Sequence, residues 1–314
     1  MEITSLSSCT YNTCSISSSP YGYRPSRGVS IVFISSFTSS FIGLQLITLH
    51  TKKWLSFSIP LSITCLFEMI GYAIRFTNWD NPWDIHLYAV SEFFLTIAPT
   101  MMTSSIYLII ERMLFILGRE HSVVNPRWYR FFILADIISL ATQLVGLGIS
   151  MWDIAATYNA GPGSDKGGRV IAVGIGIHAL LLTIFLVLFV VALVQAIFAY
   201  RELGYTTFNP EGGRYKSLQR RFKIFLAVLL IDVLCLLTRD VYRTIGFVEG
   251  FDGGTRIEGW FALFDGLVVS EAVLGLAVLH PSYVFTDYSK KQEADKLSTS
   301  SPISYGRLVR QSII

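Results

Sequence analysis

Charge is scarce in this sequence. Asp, Glu, Lys and Arg make up 15% of the 314 residues, against about 25% in soluble domains. The net charge is only +3, and the basic residues are scattered between apolar runs. That excludes the concentrated basic surface that nucleic acid requires. Histidine is rarer still. His50, His86, His121, His178 and His280 stand apart, no two at a short helical spacing. No His-Glu-x-x-His zinc helix, Gly-x-Ser-x-Gly elbow or phosphate-binding loop occurs, and no cofactor is implied. The glycine-rich stretch 161–168 has no strand before it and reads as a connector. The first 28 residues are Ser-rich and lack the basic start and apolar run of a cleavable signal peptide. The first apolar segment is therefore expected to act as an uncleaved signal. Of four cysteines, Cys9 and Cys14 share the polar N-terminal stretch, where a disulfide can form. Cys65 and Cys235 fall in apolar runs and read as small packing residues.

What is abundant is apolar length. Hydrophobic residues make up 52% of the chain and aromatic residues 14%, and the mean hydropathy is +0.52. Seven stretches, near 29–49, 55–75, 86–117, 129–152, 169–199, 222–246 and 258–280, reach the roughly 20 residues needed to cross a bilayer. A spanning backbone must satisfy its own hydrogen bonds, so helices are expected. The predicted fold is an all-α integral membrane bundle of seven transmembrane helices. Lys52, Lys53, Arg119, Arg127 and the basic run from Arg214 to Lys223 fall in the first, third and fifth connections. The positive-inside rule then puts the N-terminus outside and the C-terminus in the cytoplasm. The expected division is an extracellular segment 1–28, a membrane domain 29–285 and a disordered tail 286–314. All six tryptophans fall at span ends or in loops, where indoles favour the interface.

Against this apolar background the polar residues carry information. Asp136, Ser139 and Gln143 fall on one stripe of the fourth span, and Gly146 continues it. Glu92, His178, Arg239, Asp240, Arg243, Glu258 and Asp265 fall toward the outer half, with Arg75 at the outer face. Glu68, Asp232 and Glu271 lie deeper, and Asp136 lies in the inner third. Burying a lone charge in lipid is costly, so these groups are expected to face the bundle interior and to pair. Polar groups also hold membrane helices together, at about 0.6 kcal/mol each. A whole cluster with more acids than bases is harder to explain that way. It predicts a polar vestibule open to the outside and suited to a cationic amphiphile. Two other readings start from single motifs. Glu111-Arg112-Met113 at the inner end of the third span suggests a receptor-like sensor of amphiphiles that signals to other transporters. A convergence of His178, Asp136 and Asp265 would suggest an intramembrane metal-dependent lipid hydrolase.

Several motifs, in order along the chain, resemble those of the fungal lipid-translocating exporter family. They are Tyr23-Arg24-Pro25-Ser26 before the first span, Glu68-x-x-Gly71-Tyr72-x-x-Arg75 in the second, and Ala98-Pro99 with Tyr107 and Arg112 in the third. Phe132, Asp136, Ser139, Gln143, Gly146 and Gly148 come next, in the fourth. Arg239-x-x-x-Arg243 in the sixth, and Glu258, Asp265 and His280-Pro281 in the seventh, complete the set. Gly246 stands where the family often has Glu, and His178 where it usually has Gln. The resemblance implies a plasma-membrane or endomembrane protein that exports lipid-like amphiphiles such as sphingoid bases and confers resistance to toxic ones. It implies a lipid partner, no nucleic acid and no enzymatic activity. The residues expected to contact substrate are Glu68, Arg75, Glu92, Asp136, Gln143, Arg239, Arg243, Glu258 and Asp265. Asp136 is expected to structure the inner end.

Overall fold

Apolar length divides the chain into seven helical rods. The computed structural model describes residues 9–52, 54–117, 129–160, 166–203, 220–249 and 257–284. Trp128, most of the glycine-rich connector and the tail 286–314 lie outside the described residues. The rods are α1 (Arg27–Thr51), α2 (Leu55–Thr77), α3 (Ile85–Leu117), α4 (Tyr129–Ala160), α5 (Lys166–Leu203) and α6 (Arg220–Glu249). The last rod has four parts. They are α7 (Glu258–Phe261), a π-helical stretch (Ala262–Leu267), α8 (Val268–Val278) and, after a break, α9 (Pro281–Val284). Among the described residues there is no strand.

Six of the rods are long and apolar enough to cross a membrane. α6 falls short because Asp232, Arg239, Asp240 and Arg243 interrupt it and Arg220, Arg221 and Lys223 open it. Consecutive helices pack side by side, and α8 closes the bundle against α1 and α6. Phe37, Phe57, Tyr107, Phe185, Phe189 and Phe225 fill the interior. Val32, Ile138, Val145, Val173, Leu180 and Val241 point outward. An apolar exterior around a partly charged interior is the arrangement a bilayer favours.

Small residues set the α4–α5 seam. A Cβ at Gly167 would lie 2.1 Å from the backbone nitrogen of Ser150, and one at Gly174 would lie 2.6 Å from Cγ of Gln143. Gly146 meets the backbone of Ile171 just as closely. Gly148 and Gly176 face open space, so neither takes part in this close approach.

The N-terminal segment is folded over one end of the bundle, as a cap. A disulfide joins Cys9 to Cys14 and packs against Trp83, which is fully buried rather than interfacial. The Trp83 indole donates to the Ser15 carbonyl at 3.3 Å, and Tyr11 packs edge-on against its ring. Arg24 stacks 3.5 Å from the Trp79 ring and donates to the Trp79 carbonyl. The segment then reaches Ser26, whose hydroxyl caps α1 by accepting from the Val29 N–H.

Candidate functional site

Beneath the cap, charges from six of the helical rods join into one buried chain. It begins at a proline. Pro99 has no N–H, so the carbonyl of Leu95 one turn earlier lacks its helical donor. The Arg239 guanidinium fills that gap, donating from Nη2 to the Leu95 carbonyl at 2.9 Å. From Nε it also donates to Asp265 Oδ1 at 2.9 Å, and from Nη1 to Asp240 Oδ1 at 3.3 Å. Arg243, one turn along α6, forks onto the same Asp265 at 2.7 and 2.9 Å and donates to Glu92. A bidentate fork of this kind is the strongest ion pair proteins make. Glu92 lies 3.9 Å from Arg75, whose guanidinium also donates to the Tyr23 hydroxyl at 2.6 Å.

Asp265 can serve two arginines because it sits in the π-helical stretch. The wider turn there lets the chain turn its carboxylate toward α6. Gly266 beside it is required, since a Cβ there would lie 2.4 Å from the Phe33 ring.

At the far end of the chain Asp240 accepts from His178 Nδ1 at 2.7 Å, and His178 Nε2 faces Asp136 Oδ2 at 3.6 Å. Thr103 donates to that same Asp136 oxygen at 2.9 Å. Thus Asp136, expected apart at the inner end, is joined to the cluster through His178 and Asp240. Arg75, Glu92, Asp136, His178, Arg239, Asp240, Arg243 and Asp265 are all buried. Burial on this scale is tolerated only because each charge has a partner.

Three expected site residues stand aside from the chain. Glu258 is half-buried and accepts the backbone N–H of Ser26, pinning the start of α1 to the start of α7. Gln143 donates to Ser139, which in turn donates to the Gly174 carbonyl, so it belongs to the α4–α5 seam. Glu68 is buried and makes no ion pair among the described residues, although Asp265, Arg239 and Arg243 are its electrostatic neighbours. Glu271, expected deep inside, faces outward. Asp265 is engaged by the arginines and does not meet His178. Glu111 is paired with Arg130 at 2.8 Å, which accounts for its place at the end of α3.

The vestibule is narrower than the sequence suggests. The cap leaves a cleft of about 80 Å³ lined by Tyr21, Tyr23, Tyr88, Tyr242, Phe247, Phe261, Arg75, Glu92 and Arg243. That is room for a few waters. Tyr21 accepts from the Asn78 amide, and burial pushes its phenol up to about 12 against the opposing pull of Arg75. Burial also raises Tyr23, again opposed by Arg75. Both therefore stay neutral hydroxyls at physiological pH. On the outer side of α6 lies an apolar groove of about 570 Å³, lined by Leu234, Leu237, Val241, Ile245, Trp260 and Phe264. Tyr242 forms a wall of both the groove and the cleft, stacked on Phe264, which stacks on Trp260.

The family described as RTA1 like protein matches residues 61–288, which include all of the charge chain. The chain belongs to that family. It is 27% identical over 290 residues to a protein named sphingoid long-chain base transporter RSB1 from Saccharomyces cerevisiae (strain Lalvin EC1118 / Prise de mousse). That alignment covers 84% of this chain and 72% of the relative. It is 25% identical over 287 residues to protein RTA1 of S. cerevisiae strain ATCC 204508 / S288c, covering 83% and 84%. Protein RTM1 of S. cerevisiae is 26% identical over 220 residues, covering 69% and 65%. No solved structure matches. Among the RTA1-like motifs, Ala98-Pro99 and Arg239-x-x-x-Arg243 now have a shared reason, since the proline frees the carbonyl that one arginine uses. His178 and Asp240 were not among the expected site residues. The sequence places both with the outer-half polar groups expected to pair, without a role at the site.

Proposed function

We propose that this RTA1-like membrane protein moves lipid-like amphiphiles across the bilayer, with a long-chain sphingoid base as the substrate class, and that it is not an enzyme. The observation that carries the reading is the shared wall at Tyr242. On one side is a small cleft where aromatic rings and the Glu92 carboxylate meet the Arg75 and Arg243 guanidiniums that hold it, and on the other an open apolar groove. Aromatic rings and a carboxylate together suit an ammonium group, and the groove suits an alkyl chain. The relative named a sphingoid long-chain base transporter supports the same class. In this reading α6 is a seventh span despite its charges, because Arg239, Asp240 and Arg243 face inward and are paired. The capped end is outside, the tail 286–314 is cytoplasmic, and the protein resides in the plasma membrane or an endomembrane. Residues 29–285 form the membrane domain. Glu92, Arg243 and Arg75 contact the headgroup, while Arg239, Asp265 and Asp136 shape the site from behind.

The test is efflux of a labelled long-chain sphingoid base from cells with and without the protein. Faster efflux that falls about tenfold in Glu92→Gln, equivalent to ~1.4 kcal/mol, is the expected result. Equal efflux with and without the protein would overturn the reading.

A further inference from the structure

The charge chain is short of one cation. Its carboxylates are Glu92, Asp265, Asp240 and Asp136, and its guanidiniums are Arg75, Arg239 and Arg243. Among the described residues, His178 is the one basic group left in the chain to close that deficit. Its surroundings are specific. From α6, Asp240 takes up Nδ1, and Asp240 is itself held by Arg239. From α4, Asp136 faces Nε2. From α3, Thr103 binds Asp136, and Tyr107 lies close to it. With Nδ1–H given to Asp240, a neutral ring would aim the Nε2 lone pair at a carboxylate. Among the described residues, three buried atoms in this nest, His178 Nε2, Asp136 Oδ1 and the Tyr107 hydroxyl oxygen, have no hydrogen-bond partner. Buried polar groups are seldom left so.

We propose that His178, between Asp136 and Asp240, is a proton-binding site whose proton is exchanged for the positive charge of the substrate. The inference rests on the proposal that the substrate is a cationic amphiphile. When an ammonium settles at Glu92, it adds one positive charge to a chain already balanced by the imidazolium. Arg243, Asp265, Arg239 and Asp240 link the two ends through shared partners, so the added charge is felt at His178. The Nε2–H bond then breaks, the proton passes to water, and the imidazole is left neutral. One cation replaces another, and the exchange is electroneutral. A transmembrane proton gradient then drives the movement of the amphiphile.

The full-length protein in lipid vesicles, with ¹⁵N-labelled histidine, tests this. His178→Gln assigns the signals by their loss. At neutral pH His178 is expected to give imidazolium signals. Adding a long-chain sphingoid base should convert them to neutral imidazole and release about one proton per protein into weakly buffered medium. Binding is read separately, from quenching of tryptophan fluorescence by a brominated sphingoid base. A neutral His178 before any addition would overturn the proton site. An imidazolium that persists with the base bound would overturn the exchange. Failure of the base to bind would overturn the amphiphile reading and the coupling with it, while the imidazolium signal alone still decides the proton site.

Discussion

At Pro99 the chain gives up an N–H, and the Leu95 carbonyl is thereby left to Arg239. Pro99→Ala would return that carbonyl to the helix. Since proline costs a helix about 3 kcal/mol, thermal unfolding in detergent should occur at or above the wild-type temperature, while sphingoid-base efflux falls. A drop in both would show that Pro99 acts by packing alone. Asp265 offers the opposite case. Asp265→Asn leaves two buried guanidiniums on a neutral amide and should cost about 3–5 kcal/mol. Glu258→Gln, half-buried with one backbone partner, should cost about 1 kcal/mol. Comparable losses of unfolding temperature in the two would contradict the ranking. Asp265 was legible as a site residue because a carboxylate in an apolar run needs a reason. The bond from Arg239 to a carbonyl 144 positions away was not, because it depends on how two distant helices face each other.

Among the elements, the seven helical rods could be read from apolar length in the sequence, and six of them are long and apolar enough to cross a membrane. The seam between α4 and α5 was only half legible. Gly146 and Gly148 look alike in sequence, yet only the first touches a neighbour. Rotation of a helix about its own axis is fixed by all its contacts together, and two residues cannot reveal it. Gly167→Val should therefore lower expression and thermal stability sharply, since its Cβ meets the Ser150 backbone, which cannot yield. Gly148→Val should leave both unchanged. Equal behaviour in unfolding measurements would place the seam elsewhere. Of the cap, only the Cys9–Cys14 disulfide was foreseen. The cap's cohesion comes from aromatic and cation contacts between residues more than fifty positions apart, and no local periodicity announces these.

At the scale of the molecule, the cap decides who reaches the charges. With Tyr21 and Tyr23 in place the cleft holds little more than water, so under the proposed function an amphiphile would enter only if the segment lifts or the groove admits its chain sideways past Tyr242. A cysteine at Glu92 should resist a membrane-impermeant maleimide in intact cells. It should react once Tyr21 and Tyr23 are both replaced by alanine. Reaction without those replacements would mean that the cap stands open, and no reaction in either case would place this end on the cytoplasmic side. The sequence placed most of these charges toward one end of the bundle, but it suggested an open acidic vestibule. Hydropathy records depth in the bilayer and says nothing of which partners fill the space between helices.

The π-helical stretch at Ala262–Leu267 amounts to one residue more than an α-helix would use for the same turn. Deleting a single residue there would tighten the coil into ordinary α geometry and rotate α7 by about 100° relative to α8. Trp260 and Phe264 would swing off the groove, and Glu258 would leave Ser26, while α8 kept its seat against α1 and α6. A surplus residue thus acts as a phase setting. It lets one rod satisfy two incompatible registers, the one that seats its C-terminal half in the bundle and the one that aims Asp265 at the arginines.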